Sequence, residues 1–283
     1  LILTGPYTFV WTIVNGTCIS TDTVIITVDS LVIANAGSDQ QLCGTTTTTL
    51  SANAATPGTG LWTTSSAAII ATPADENTAL SGLYSGTYTL VWTITNGTCT
   101  SSDSVDIISD SLEVALAGPD QTVCSGSTVT MAANTPGLGV GFWSNPDGGI
   151  VNNVNDANTT VDGLINAGTY SFIWTIVNGT CISTDTIFIT VDSLVTATAG
   201  GDQYLCEVFG SILSGNVTGL GSGIWTTSGS ATIALDTDPN SLVSNMAYGP
   251  NDFIWTITNG TCVSSDTVTL FVDSLIAALA GPD

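Results

Sequence analysis

The chain has 283 residues, of which 23 are acidic and none is Lys, Arg or His, for a formal net charge of −23 at pH 7. Nucleic-acid backbones are held by cationic side chains, and His and Lys supply the usual general bases, Schiff bases and imidazole ligands, so those function classes are excluded. With 43% hydrophobic and 8% charged residues the sequence is too apolar for a disordered acidic tail, yet it has no apolar run of roughly 18 residues that would span a membrane.

In chain order, the first pattern is a strand over Tyr7–Ile13, which runs into Trp11-Thr-Ile-Val-Asn15-Gly16-Thr-Cys18. The same motif returns at Trp92–Cys99, Trp174–Cys181 and Trp255–Cys262, so the tryptophans at 11, 92, 174 and 255 recur at steps of 81, 82 and 81. A constant period of this size marks an array of one structural unit. Each unit is long enough to bury its own core. The period divides the chain into residues 1–33, the later half of a unit; complete units 34–114, 115–196 and 197–277; and 278–283, the start of another. With no initiator Met or signal peptide at its start, the chain reads as a segment of a longer mature protein.

Each complete unit opens with Asp-Gln and Cys (Asp39-Gln40 and Cys43, Asp120-Gln121 and Cys124, Asp202-Gln203 and Cys206) and then reaches Gly60-Leu-Trp62, Gly141-Phe-Trp143 or Gly223-Ile-Trp225. A variable stretch rich in Asn, Asp and Gly follows, the mark of loops and edge strands. In Tyr88-Thr-Leu90-Val-Trp92-Thr-Ile94, the apolar residues alternate with a second face, which predicts a half-buried strand. Asn96-Gly97 then predicts a tight hairpin because both residues tolerate positive φ. The return strand carries Val105 and Ile107. Thr, Val, Ile and Gly dominate and no helical spacing is present. About seven short strands per unit, with a mid-unit Trp and a late one, describe an all-β protein of tandem immunoglobulin-like sandwiches arranged end to end. Tyr7, Tyr88 and Tyr170 open the late strand where that fold has its tyrosine corner; Asn251 stands there in the last copy.

Each complete unit has one early and one late cysteine. Pairing within the unit joins Cys43 to Cys99, Cys124 to Cys181 and Cys206 to Cys262; pairing across the boundary, Cys18 to Cys43 and so on, is also open. The within-unit scheme is preferred because it staples one sandwich by loop closure; Cys18 is then odd only because its expected partner lies upstream of residue 1. No Cys-x-x-Cys cluster suggests a metal.

The segment Ala117-Gly-Pro-Asp-Gln-Thr-Val-Cys124, followed by Gly-x-Tyr-x-x-x-Trp-Thr-Ile-x-Asn-Gly-Thr-Cys and Ser-x-Asp-Thr-Val, resembles the tandem Ig-like or PKD-like repeats of giant secreted surface proteins of Bacteroidetes. The resemblance covers nearly the whole chain and implies an extracellular structural role, since such repeats serve in adhesins, filaments and the stalks of modular enzymes. It also implies O-glycosylation at Asp-Ser/Thr positions followed by a small or aliphatic residue: Thr23, Ser30, Ser104, Ser111, Thr186, Ser193, Thr267 and Ser274.

Three other site readings follow from the residues. Asn-Gly-Thr at 15, 96, 178 and 259 fits an N-glycosylation acceptor as well as a hairpin. Asp29, Asp39, Asp110, Asp120, Asp192 and Asp202, with Asp273 and Asp283, flank the junctions, where paired carboxylates are weak Ca²⁺ candidates. The tryptophans belong in the core by their alternation, with sugar stacking the lesser reading. No nucleophile and base recur near one another, so no enzyme is expected. The expected function is a structural filament or cell-surface fibre whose partners are other copies of the chain and covalent glycans. The alternative is a spacer that presents an adhesive or catalytic domain.

Overall fold

In a computed structural model of the chain, residues 3–276 and 278 are described; the start expected at 278–283, including Asp283, lies otherwise outside them. The fold is all-β. The described residues form two compact units: the chain up to Val114 with Pro136–Val140 and Ile176–Ser183, and Ala115–Thr135 with Gly141–Thr175 and the chain from Thr184 onward.

Residues 34–114 show how the repeat is built. Its strands are β3 (Gln40–Cys43), β4 (Thr47–Thr49), β5 (Thr59–Thr64), β6 (Ile69–Ile70), β7 (Ala79–Ser81), β8 (Gly86–Asn96) and β9 (Cys99–Asp110), after the hairpin β1 (Gly5–Asn15) and β2 (Cys18–Val28). One sheet has the order β3-β9-β8-β5 and the other β4-β7-β6. Strand β3 runs parallel to β9, from Gln40 opposite Ile107 to Cys43 opposite Asp110, while the remaining pairs are antiparallel. This is the strand order of an immunoglobulin-like sandwich whose first strand has joined the sheet of the last.

The alternation read in β8 decides the core. Leu90, Trp92 and Ile94 are buried in one cluster with Val105 and Ile107 of β9, Leu80 of the opposite sheet and Leu50, which directly follows β4. Where an antibody-type sandwich packs its Trp on an inter-sheet disulfide, this one packs Trp62 of β5 on Trp92, their rings 5.1 Å apart. Gly60 makes room for the pair, because a Cβ at that position would strike the Trp92 ring. The tyrosine corner also forms: the Tyr84 N–H donates to the Tyr88 hydroxyl at 2.7 Å.

The third repeat follows the same plan with β17 (Gln203–Cys206), β18 (Ser211–Ile212), β19 (Ser222–Thr227), β20 (Thr232–Ile233), β21 (Leu242–Ser244), β22 (Gly249–Asn259) and β23 (Cys262–Asp273). Its sheets run β17-β23-β22-β19 and β18-β21-β20. Asn251, in place of the corner Tyr, accepts from Ala247 N–H at 3.0 Å and donates to the Ala247 carbonyl at 2.9 Å, so a shorter side chain meets the same backbone groups. In the middle repeat β10 (Gln121–Cys124), β12 (Val140–Ser144), β15 (Gly168–Asn178) and β16 (Cys181–Asp192) form the sheet β10-β16-β15-β12, and β11 (Val129–Thr130), β13 (Ile150–Val151) and β14 (Thr160–Asp162) the sheet β11-β14-β13.

The hairpin β1–β2 has the late-strand pattern without a facing sheet. Trp11 is 71% exposed where Trp92, Trp174 and Trp255 are fully buried. The alternation of residues 7–13 is thus correct as a strand, while its apolar face is open among the described residues.

The within-unit disulfide scheme is overturned. The bridges are Cys43–Cys181 and Cys124–Cys262, each joining cysteines 138 residues apart, and Cys18, Cys99 and Cys206 are free. The reason is strand direction. Cys43 sits beside Asp110 at the far end of β9, whereas Cys99 begins that strand. Those ends are about 35 Å apart at strand rise, and a disulfide needs Cα atoms within about 7 Å.

Candidate functional site

The cysteines lead to a recurring arrangement: a clasp between the tip of a late hairpin, at Asn96–Cys99, Asn178–Cys181 and Asn259–Cys262, and the end of the preceding repeat. Strand pairing brings Asn96 opposite Cys99, so Gly97 and Thr98 are the two turn residues. Only Gly97 has positive φ, at 59°, which fits a turn with Gly first. The expectation that Asn96 would itself sit in the turn is therefore displaced by one residue. The shift frees its side chain to reach outward.

In the first clasp the Thr98 N–H and hydroxyl donate to the Asp29 carboxylate at 2.8 and 3.2 Å, and the Asn96 amide donates to the Ser30 carbonyl at 2.8 Å and its hydroxyl at 3.0 Å. In the second, Thr180 donates to Asp110 at 2.9 and 3.2 Å and Asn178 to the Ser111 carbonyl at 2.9 Å. In the third, Thr261 donates to Asp192 at 2.7 and 2.9 Å and Asn259 to the Ser193 carbonyl at 2.8 Å. The glycine packs directly on the aspartate: a Cβ on Gly97, Gly179 or Gly260 would run into the carboxylate of Asp29, Asp110 or Asp192. A hydrogen bond to an ionised acceptor is about twice as strong as a neutral one, so the aspartate is the strongest point of the polar contact.

In the second and third clasps a disulfide closes the contact. Cys43 is registered beside Asp110 and bonds Cys181, with Cα atoms 5.1 Å apart. Cys124 is registered beside Asp192 and bonds Cys262, with Cα atoms 4.8 Å apart. Glu113 adds to the second clasp by accepting from the Gly137 and Leu138 N–H groups, each at 2.6 Å. The first clasp has its polar contacts and a Cys99 thiol with no sulfur partner.

The remaining candidate residues sort by their place. Thr23, Ser104, Thr186 and Thr267 are exposed on the return strands, whereas Ser30, Ser111 and Ser193 are half-buried in the clasps and Ser274 is exposed. The Asn96, Asn178 and Asn259 amides, which an N-glycan would occupy, are the clasp donors. Of the calcium candidates, Asp29, Asp110 and Asp192 belong to the clasps. Asp39, Asp120 and Asp202 instead accept from the Asp106, Phe188 and Thr269 N–H groups at 2.8, 2.8 and 2.9 Å. The two sets are held on different backbone donors, and among the described residues no three His, Cys, Asp or Glu side chains group around a metal-sized space. Trp62, Trp92, Trp143, Trp174, Trp225 and Trp255 are buried, as core packing requires, so no sugar can stack on them.

Sequence reasoning missed a second set of carboxylates. Asp103, Asp185 and Asp266 accept from the Ala36, Ala117 and Ala199 N–H groups at 2.8, 2.7 and 2.8 Å, pinning the start of each repeat to its last strand. Their signal was the constant Asp four residues after each late Cys. Three further carboxyls are held below their ordinary pKa values: Asp147 by the Ser171 hydroxyl and then its N–H, Asp162 by Thr128 and Asn152, and Glu207 by the Leu275 N–H and then the Tyr248 hydroxyl.

These features define a class: tandem immunoglobulin-like sandwiches joined by aspartate clasps and inter-repeat disulfides. No protein-family model matches the sequence, and no curated protein sequence matches it either. Among solved structures the chain is similar to the I-band fragment I67-I69 from titin, at 10% identity and a TM-score of 0.47, covering 86% of this chain and 100% of that one. It is similar to the N-terminal eight Ig domains of the Down Syndrome Cell Adhesion Molecule, at 12% identity and a TM-score of 0.47, over 95% of this chain and 40% of that one. A PKD domain from the KIAA 1837 protein matches 30% of this chain at 19% identity and a TM-score of 0.27. At these values the comparisons add nothing to the fold reading that the strand order carries. Disulfides persist in oxidising compartments, which fits a secreted protein, and among the described residues no helix is long and apolar enough to cross a membrane.

Proposed function

We propose that the chain is structural material of an extracellular filament or cell-surface fibre, an array of the repeats 34–114, 115–196 and 197–277, which resemble those of giant secreted surface proteins of Bacteroidetes. The observation that carries this reading is the covalent tie from the first strand of one repeat to the late hairpin of the next, in Cys43–Cys181 and again in Cys124–Cys262. A bridge placed there does little for the core of either sandwich. It stops successive repeats from parting under tension, and that is a mechanical task. The absence of Lys and Arg supports the same setting by leaving trypsin-like proteases no cleavage site.

Glycans belong to the proposal at Thr23, Ser104, Thr186 and Thr267, whose exposed hydroxyls lie clear of the clasps; at Ser30, Ser111 and Ser193 a sugar would compete with the docked hairpin. Partners are other copies of the chain, and no catalytic role is proposed. Negative-stain imaging of the secreted protein tests this: uniform fibres with a repeat commensurate with the unit support it. Isolated flexible strings carrying a terminal domain would instead make the chain a stalk. Intact-mass measurement before and after deglycosylation tests the sugars.

A further inference from the structure

Every Asn-Gly step in the sequence, at 15, 96, 178 and 259, lies at a hairpin tip. Asn-Gly is also the step at which a peptide deamidates most readily, because the unhindered glycine nitrogen can attack the asparagine side-chain carbonyl. In the second and third clasps that attack is obstructed from both sides. Asn178 and Asn259 are the last residues of β15 and β22, and the extended ψ of a strand, about +135°, turns the following nitrogen away from the side chain. The side chain is itself committed, its amide donating to the Ser111 carbonyl at 2.9 Å in one clasp and to the Ser193 carbonyl at 2.8 Å in the other. The attacking residue is fixed as well. Gly179 and Gly260 lie against the Asp110 and Asp192 carboxylates, where even a Cβ would collide, and the next N–H, of Thr180 or Thr261, donates to the same carboxylate at 2.9 or 2.7 Å.

We propose that Asn178 and Asn259 are modification sites that deamidate from the opened clasp and not from the docked one, and that the product keeps the clasp from closing again. When the contact parts, the Gly179 nitrogen bonds the Asn178 side-chain carbonyl carbon, gives up its proton and expels the side-chain nitrogen as ammonia. Water then opens the resulting succinimide at either of its carbonyls, leaving aspartate in one case and, in the other, isoaspartate, whose main chain runs through the former side chain. Amide and water become carboxylate and ammonium, with no change of oxidation state. Gly260 and Asn259 react in the same way. The clasp is then changed in sign: the amide donors to the Ser111 carbonyl are gone, and a carboxylate replaces them opposite a carbonyl oxygen. In the second clasp the new charge joins those of Asp110 and of Glu113, which accepts from the Gly137 and Leu138 N–H groups. The chain has no Lys, Arg or His to neutralise it, and like charges brought together disfavour one another. A joint once pulled apart is thereby marked and stays weak. The inference needs the clasp alone and stands whether or not the chain forms fibres.

The test follows both asparagines by chymotryptic peptide mapping, with the Asn, Asp and isoAsp forms separated, while the chain is incubated either bridged and folded or reduced in denaturant. In the bridged chain both sites should convert at least about tenfold more slowly than in denaturant, since they react only from the opened fraction. Cys181→Ser combined with Asp110→Ala opens the second clasp and leaves the third alone, so Asn178 should speed up about tenfold, as loss of a charge-assisted contact implies, while Asn259 in the same molecule keeps its bridged rate and shows that the third repeat is still folded. Asn178→Asp stands in for the product. After reduction and reoxidation it should regain Cys43–Cys181 roughly tenfold more slowly than the unsubstituted chain, with Cys124–Cys262 returning at the ordinary rate. Conversion in the bridged chain as fast as in denaturant, an opened second clasp whose Asn178 reacts no faster, or an Asn178→Asp chain that regains its bridge normally would overturn the proposal.

Discussion

The two bridges enclose overlapping loops, and this overlap fixes how far the chain can be pulled out. With both intact, the shortest covalent route from Cys43 to Cys262 crosses to Cys181, returns along roughly 57 residues to Cys124, and crosses again. An extended residue spans about 3.5 Å, so this route opens to no more than about 200 Å, against about 770 Å for the roughly 219 residues freed by reduction. Cys181→Ser removes one bridge and leaves a route of roughly 81 residues, or about 280 Å. The discriminating variant is Cys99→Ser, which should change nothing. If each repeat were stapled internally, the same substitution would free the loop from Cys43 and lengthen the route to about 370 Å, and so would Cys181→Ser. Force spectroscopy on a chain held by its ends reads these lengths directly as differences between variants. An intact chain that extends like the reduced one, or a Cys99→Ser chain longer by about 200 Å, would refute the assigned pairing.

Four further outcomes are expected. Gly179→Ala pays the left-handed backbone cost of about 1 kcal/mol and also drives a Cβ into the Asp110 carboxylate, while Gly16→Ala carries the backbone cost alone; equal falls in melting temperature would count against the clasp. Trp92→Ala should cost about 3–5 kcal/mol by core truncation, and Trp11→Ala, at a 71% exposed position, within about 0.5 kcal/mol, as read by denaturant titration. Asp147, Asp162 and Glu207 have folded pKa values below their ordinary 3.8, 3.8 and 4.5, so their contribution is present above those values and is lost as pH falls through the lower folded ones. A melting-temperature profile should therefore drop below about pH 4, and Asp147→Asn should flatten its share. Calcium in place of a chelator should leave the melting temperature within about a degree, because the junction carboxylates are already on backbone donors; a large rise would show a site.

Strand periodicity made most of the sandwich legible. Leu90, Trp92 and Ile94 fall on one face in the sequence and in the core alike, because a half-buried strand writes its burial into every second residue. The clasp was not legible, since none of its parts is local: Asp29 and Thr98 are 69 residues apart. The disulfides failed for a related reason. Cysteine spacing cannot tell which end of a strand a residue occupies, and the parallel placement of β3 on β9, which sends Cys43 away from Cys99, leaves no short-range trace. Asn251 shows the opposite limit, a sequence change that the structure absorbs because its carboxamide meets the N–H and carbonyl of Ala247, four residues back, as the Tyr88 phenol meets those of Tyr84.

The recurring aspartates are partnered without any cation. A carboxylate buried or ordered without a partner is costly, and a chain with 23 of them and no Lys, Arg or His has only main-chain N–H groups, hydroxyls and amides to offer. The repeat assigns them by position. One aspartate pins the opening segment to the last strand, one ties the first strand to it, and one takes the next hairpin tip. At the tip the N–H so used belongs to a turn residue, Thr98, Thr180 or Thr261, and on the return strand it belongs to Asp106, Phe188 or Thr269, next to where the parallel pairing with the first strand begins. Anion and donor therefore solve each other's problem within one period. Because the contacts are hydrogen bonds to fixed backbone directions rather than ion pairs between long flexible side chains, they hold geometry with little side-chain entropy to lose. A substitution of Asp110 or Asp192 should therefore disturb the joint between repeats well before it disturbs either core.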